Sequence, residues 1–293
     1  MKIAHSPIKR VAAIHDLSCF GKTSLSVVVP VISAMGIQVC SVPTAVLSTH
    51  TGGYTDFRFV DLTEHLEGFF QHWADLGIAF DCIYTGFLGS PEQMEMIGEF
   101  IRSQRQYEPF IVIDPVLGDN GTLYQTMSPV MVEKMRSFIS HADIITPNYT
   151  EAALLLEKEY RPEMPDRDMK TWLSALSDMG PRISIITSVP AESRRHTYVL
   201  AYDRDNQRYW KIKCDYIPTH FPGTGDCFTS VLLGGMLQGD SLPIALDRAV
   251  QFITQAIRAS YGYDYPEREG LMLERVLGNL QAPVIVSSYE ILE

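Results

Sequence analysis

Cysteine is scarce in this sequence. Its 293 residues include five, Cys19, Cys40, Cys82, Cys214 and Cys227, an odd number with no CxxC pair. That pattern excludes a disulfide framework and a thiolate zinc site, and it implies reduced thiols. Cys227 adjoins the most chemically suggestive segment, but it reads as a small packed residue rather than a nucleophile. Long apolar runs are also missing. No segment approaches the roughly 20 residues needed to span a bilayer, and the N-terminus lacks the apolar stretch of a signal peptide. A cytoplasmic chain with no membrane partner is the expectation. Positive charge is in short supply, with 24 Lys and Arg against 35 Asp and Glu and a net charge of −11. Without a basic cluster, nucleic-acid binding is excluded as a general function. A small anionic substrate is compatible only where backbone dipoles or metal ions supply the positive field.

Several catalytic signatures are absent as well. The eight histidines form no HExxH pattern. No GxSxG elbow anchors a hydrolase triad, and no GxGxxG marks a dinucleotide site. Gly21-Lys22-Thr23-Ser24 suggests a phosphate loop, yet it lacks the upstream glycine of GxxxxGK[ST]. The segment His15 to Ser24 is better read as a strand exit facing a small-molecule substrate. Internal repeats, low-complexity tracts and long linkers are missing too, so residues 1–293 are expected to form one large domain.

What is present is an alternation of short β-branched runs and helical patterns. Strands are expected at 11–15, 38–42, 82–85, 110–113, 143–146 and 183–187, and helices at 24–35, 62–76, 91–104, 129–140 and 169–179. Residues 198–203 and 208–213 read as an antiparallel hairpin, followed by helices at 226–238, 243–261 and 267–280. The polar stretch 157–167 reads as an exposed loop. Such alternation predicts a three-layer α/β/α fold: a mainly parallel sheet with helices on both faces and a small antiparallel edge.

Pro222-Gly223-Thr224-Gly225-Asp226 leads into an apolar helical run. Glycines let backbone N–H groups converge, and a helix N-terminus adds unsatisfied donors and partial positive charge, a combination suited to a phosphate. Asp226 in the first turn can take a proton from an attacking hydroxyl. Three strand exits carry polar residues where an open α/β sheet puts its ligand. They are Asp114-Pro115 with Asp119, Thr146-Pro147-Asn148 with Glu151, and Thr187-Ser188. If these exits are neighbours, Asp114, Asp119 and Glu151 form an oxygen-rich cluster of the kind Mg²⁺ prefers. His50 and Thr51, in the glycine-rich segment Ser48 to Tyr54, are candidates to reach the substrate. Phosphoryl transfer fits this set best, because it needs positioning, charge neutralisation and one base.

With these motifs in hand, the chain resembles the pyridoxal (vitamin B6) kinases of the ribokinase-like superfamily. The resemblance rests on Ser48-Thr-His-Thr51, Thr85-Gly86-Phe87, Asp114-Pro-Val-Leu-Gly-Asp119, Ala142-Asp-Ile-Ile-Thr-Pro-Asn148 with Glu151, Thr187-Ser188 and Gly223-Thr-Gly-Asp226. It implies that Asp226 deprotonates the 5′-hydroxymethyl group while Gly223, Thr224 and Gly225 hold the transferring phosphoryl. It implies Asp119 and Glu151 at Mg²⁺, and Asp114 and Thr146 near a monovalent cation, K⁺ or Na⁺. Asn148, Glu151, Thr187, Ser188 and Thr224 would attend ATP, and Thr51 and His50 the acceptor ring, in a homodimer. Two positions depart from the family pattern. Asp16 stands where serine is common, and Phe87 where tyrosine is frequent. A carboxylate at 16 also suits an aminopyrimidine, so phosphorylation of hydroxymethylpyrimidine is the rival reading. A non-catalytic vitamer-binding protein is a third.

Overall fold

The computed structural model describes residues 7–191, 195–282 and 288–292. The chain runs through β1 (Arg10–Ser18), α1 (Leu25–Ala34), β2 (Gln38–Leu47), β3 (Phe59–Asp61) and α2 (Thr63–Asp75). It continues through β4 (Cys82–Thr85), α3 (Pro91–Gln104), β5 (Phe110–Ile113), the small hairpin β6 (Gly118–Asp119) and β7 (Thr122–Leu123), and α4 (Pro129–Phe138). Next come β8 (Ile144–Ile145), α5 (Tyr149–Leu155), α6 (Asp166–Asp178), β9 (Ile183–Pro190), β10 (His196–Asp203) and β11 (Arg208–Asp215). The elements α7 (Thr224–Leu237), α8 (Leu242–Tyr261) and β12 (Tyr289–Ile291) complete the series.

Local chemistry explains where helices start. Ser90 and Ser128 each accept a hydrogen bond from the N–H three residues on, and each is followed by a proline in the first turn. Asn148 and Glu151 form a reciprocal capping box that opens α5.

Ten strands form one sheet in the order β12-β11-β10-β9-β8-β5-β4-β1-β2-β3. The six from β9 to β2 are parallel, while β10, β11 and β12 form an antiparallel edge and β3 closes the other side. Strand order reverses between β1 and β4, the crevice where open α/β sheets bind ligands. Helices α1, α7 and α8 pack on one face over Val11, Ala13, Tyr84 and Val112. Helices α2 to α6 cover the other face over Ala12, Ile14, Ile83 and Ile113. This is the fold class expected from the alternation.

Residues 267–280 depart from the expected helix. They form three short 3₁₀ turns, Glu267–Glu269, Leu273–Arg275 and Leu277–Gln281. Gly270, at φ +83°, breaks the first from the second, and an α-helix cannot pass through that conformation. The stretch 157–167 is mainly an exposed connection, with Met164 buried.

Candidate active site

The two-residue period of a strand determines what lies at the carboxyl end of the sheet. Val11 and Ala13 face α1 and α7, so His15 points the same way. The same alternation carries Cys82 to Tyr84, Val112 to Asp114 and Ile144 to Thr146. Four adjacent strands thus deliver polar groups beneath the start of α7. Thr146 Oγ1 donates to Asp114 Oδ1 at 3.2 Å, and Thr229 Oγ1 in α7 donates to Thr146 Oγ1 at 3.0 Å. The exits of β5, β8 and β9 are neighbours. Among the described residues, however, no group of three or more His, Cys, Asp or Glu side chains comes together as a ready metal site, so Asp114, Asp119 and Glu151 do not form the expected cluster.

Gly223 caps α7 at φ +81°, and no side chain caps the helix end. A Cβ there would lie 2.2 Å from the carbonyl oxygen of Lys22, so the turn admits only glycine. The N–H groups of Thr224, Gly225 and Asp226 have no intrahelical partner at such an end. Gly225 is exposed, and a Cβ there would lie 3.9 Å from Asp114 Oδ2, which places the turn beside that carboxylate. Asp226 Oδ2 accepts from the backbone N–H of Ser24 at 2.8 Å. Ser24 reaches it from a turn at φ +52°, an uncommon conformation for serine that places backbone strain beside the carboxylate. Asp226 Oδ1 faces His15 Nδ1 at 3.8 Å. Burial pushes the Asp226 carboxyl up to about 6; the Ser24 N–H opposes this and the Asp16 charge adds to it.

Asp16, buried on β1, accepts from Ser18 Oγ at 3.2 Å, and burial raises its proton affinity against the hydroxyls of Ser24 and Ser18. His50 is fixed at both ring nitrogens. Nε2 meets the Arg268 carbonyl at 2.6 Å, and Nδ1 accepts from the Gly52 N–H at 3.1 Å. The ring therefore braces the loop that presents the partly buried Thr51, and its nitrogens are already engaged. Phe87 is partly buried at the exit of β4, where its carbonyl accepts from Thr44 Oγ1 at 3.4 Å.

On the other side, Glu151 is buried with both oxygens engaged: Oε1 accepts from the Leu117 N–H at 3.0 Å and Oε2 from the Asn148 N–H at 2.8 Å. Asn148 Nδ2 donates to the Gly118 carbonyl at 2.8 Å, which ties α5 to the β6–β7 hairpin. Asp119, on that hairpin, accepts from the Asn120 N–H through Oδ1, and its Oδ2 lies 3.8 Å from His220 Nδ1. Thr187 donates its N–H to Pro147 and bridges to Asn148, while Ser188 is exposed at φ +57°.

Asp16, Asp114, Glu151 and Asp226 all have raised proton affinity, with burial the first cause, and among the described residues no lysine or arginine charge offsets them. Lys22 stands nearby, but its ammonium is paired with Glu274 at 2.8 Å. Glu151 has both oxygens engaged, so these carboxylates make no ready-made metal cage, and a cation here would have to arrive with a substrate. Mg²⁺ takes one or two carboxylates and completes its shell with phosphates and water.

Sequence reasoning placed the segment His15 to Ser24 at a substrate-facing strand exit without singling out His15 or Ser24, and it missed Tyr84. His15 and Tyr84 follow from strand parity once the burial pattern is known. Ser24 acts through its backbone, which no residue type announces.

A model of the family described as phosphomethylpyrimidine kinase matches residues 29–268. The crystal structure of a Bacteroides thetaiotaomicron protein described as a phosphomethylpyrimidine kinase superposes with a TM-score of 0.96 at 51% identity, covering 99% of this chain and all of that one. A second crystal form of that protein, with pyridoxal, gives a TM-score of 0.94 at 52% identity over 97% of this chain and 100% of that one. The pyridoxal kinase of Lactobacillus plantarum gives 0.84 at 32% identity over 94% and 98% of the two chains. The pyridoxine/pyridoxal/pyridoxamine kinase of Bordetella pertussis is 30% identical over 84% of this chain and 88% of its own length. On these matches the chain belongs to the phosphomethylpyrimidine kinase family and is a kinase of the ribokinase-like superfamily.

Proposed function

We propose that the chain transfers the γ-phosphoryl of ATP to the 5′-hydroxymethyl group of pyridoxal, pyridoxamine or pyridoxine, with residues 1–293 acting as one kinase domain. One observation carries this reading. Asp226, its proton affinity raised to about 6, sits in the first turn of a helix opened by Gly223 with no side-chain cap. A base held near neutrality and a set of open N–H donors are the two parts phosphoryl transfer needs from the protein. Asp226 takes the hydroxyl proton, the freed oxygen bonds to the γ-phosphorus, and the bond to the ADP oxygen breaks. Thr224, Gly225 and the Gly223 turn meet the charge on the transferring group.

Asp16, Thr51 and Phe87 face the acceptor ring, and His50 holds the loop that carries Thr51. Asn148, Thr187, Ser188 and Thr224 attend the nucleotide. Asp119 would hold Mg²⁺, with Glu151 fixing the backbone around it, and Asp114 with Thr146 would face a monovalent cation. Such cations would supply the positive charge that the acidic site lacks. The likeness to a solved protein with pyridoxal supports the B6 acceptor. The family's own description, together with Asp16, favours a second acceptor, hydroxymethylpyrimidine. Cytoplasmic location and a homodimeric state complete the proposal.

Purified protein given Mg-ATP and, separately, pyridoxal, pyridoxamine, pyridoxine or hydroxymethylpyrimidine should release ADP fastest with a B6 vitamer. Release with the pyrimidine alone would transfer the assignment to that acceptor. Thermal stabilisation by pyridoxal without ADP release would make the chain a binding protein.

A further inference from the structure

His15 is the one histidine of β1 and is fully buried. Its ring is set edge-on to Tyr84, with centroids 4.4 Å apart. Gly86 leaves room for it, since a Cβ at that position would lie 2.2 Å from His15 Nδ1. Packing of this quality usually surrounds an apolar side chain. Here it surrounds an imidazole whose two nitrogens have no hydrogen-bond partner among the described residues. An unmet polar group in the core is costly, and one retained there calls for a reason. Oδ1 of Asp226, the proposed base, lies 3.8 Å from Nδ1. That is the carboxylate oxygen not held by Ser24, whose N–H binds Oδ2.

We infer that His15 is a positioning residue for Asp226, its Nδ1–H holding Oδ1 in the substrate complex while the Ser24 N–H holds Oδ2. A movement of about 0.7 Å brings the pair to hydrogen-bonding distance. Oδ1 keeps a second lone pair for the acceptor hydroxyl. A neutral donor suits this task, because a lysine in its place would lock the carboxylate into an ion pair and remove its basicity. Burial keeps the imidazole neutral, with its pKa lowered to about 3, so the donor is the same throughout the working range.

The inference rests on Asp226 as the base, so His15→Leu, His15→Gln and Asp226→Asn are measured together with Mg-ATP and pyridoxal. His15→Leu should lower kcat by about 10- to 100-fold, the scale of a misplaced catalytic group, and leave both KM values within about 3-fold. Its acidic limb in kcat should rise by about one pH unit, because a donor that favours the carboxylate is gone. The other groups that interact with Asp226 are Asp16 on β1, Asp114 beyond β5, Tyr84 on β4, Tyr124 after β7, Cys227 on α7 and the Ser24 N–H. None of them is altered by the substitution. His15→Gln, which restores an N–H, should recover much of kcat and return the limb. If Leu and Gln lose kcat equally with an unmoved limb, the role is packing alone and the inference falls. If Asp226→Asn keeps its kcat, the reading of the base falls instead. A readout independent of folding in the Leu variant is the ¹⁵N spectrum of the wild-type His15 ring with pyridoxal and ADP bound. A protonated Nδ1 whose proton shift changes in Asp226→Asn is expected, and a bare Nδ1 would overturn the inference.

Discussion

Asp226→Asn should leave the folded protein more stable than wild type while removing its activity. The carboxyl is held at about 6 against an ordinary value of 3.8, with burial the leading cause. A displacement of about two pH units, at 1.36 kcal/mol each, costs the folded state about 3 kcal/mol once the group is charged. Below about pH 4 the group is protonated whether the chain is folded or unfolded, and the cost vanishes. Above about pH 6 it is charged in both states and the cost is complete. At pH 5 about half remains. Asparagine keeps an oxygen for the Ser24 N–H, so the anchor at Oδ2 survives the substitution. Urea unfolding without ligands should show the variant more stable by about 2–3 kcal/mol at pH 8 and by about half that at pH 5. At about 2 °C per kcal/mol for a chain of this size, Tm should rise by about 4–6 °C at pH 8. An unchanged Tm at pH 8, or a gain identical at both pH values, would refute burial as the source of the raised proton affinity.

Four further outcomes are expected. Asp16→Ser should reorder the B6 vitamers by kcat/KM while the KM for ATP stays within about 2-fold, since the role proposed for Asp16 is at the acceptor ring and not at the phosphates; equal effects on every acceptor would remove it from the ring. Gly223→Ala must place a side chain at φ +81° and 2.2 Å from the Lys22 carbonyl, so urea unfolding should register a loss of about 1–2 kcal/mol or more and kcat should collapse with it. Asp119→Asn should raise the Mg²⁺ concentration for half-maximal rate about 10-fold with little change in Tm, read from Mg²⁺ titrations at saturating ATP. In the wild type, kcat should rise with pH through a limb near 6, because the base works only when deprotonated; a rate independent of pH from 5 to 8 would count against Asp226.

The parallel half of the fold was legible because buried parallel strands are short continuous β-branched runs, and residues 82–85 and 110–113 coincide with β4 and β5. Strands of two or three residues, such as β3, β6, β7 and β12, leave no periodic signal and form through pairing with distant segments. Residues 267–280 carried apolar residues at helical spacing, but tertiary packing of Leu271, Leu273, Val276 and Leu280 is met by successive 3₁₀ turns. At the site, the Gly-Thr-Gly-Asp turn and the Asp-Pro and Thr-Pro exits announce themselves by residue type. His15 does not, because an isolated histidine in an apolar strand has no local pattern, and its meaning comes from a helix more than 200 residues away.

The most direct test of the central claim is a single-turnover measurement with Mg-ATP and pyridoxal, comparing wild type with Asp226→Asn and titrating ATP binding on the same samples. The phosphoryl-transfer step should slow by about 10²- to 10⁴-fold, the contribution of a general base, while the Kd for ATP changes by less than about 2-fold. A transfer rate within about 2-fold of wild type would mean that another group takes the proton and that Asp226 is only part of the helix start.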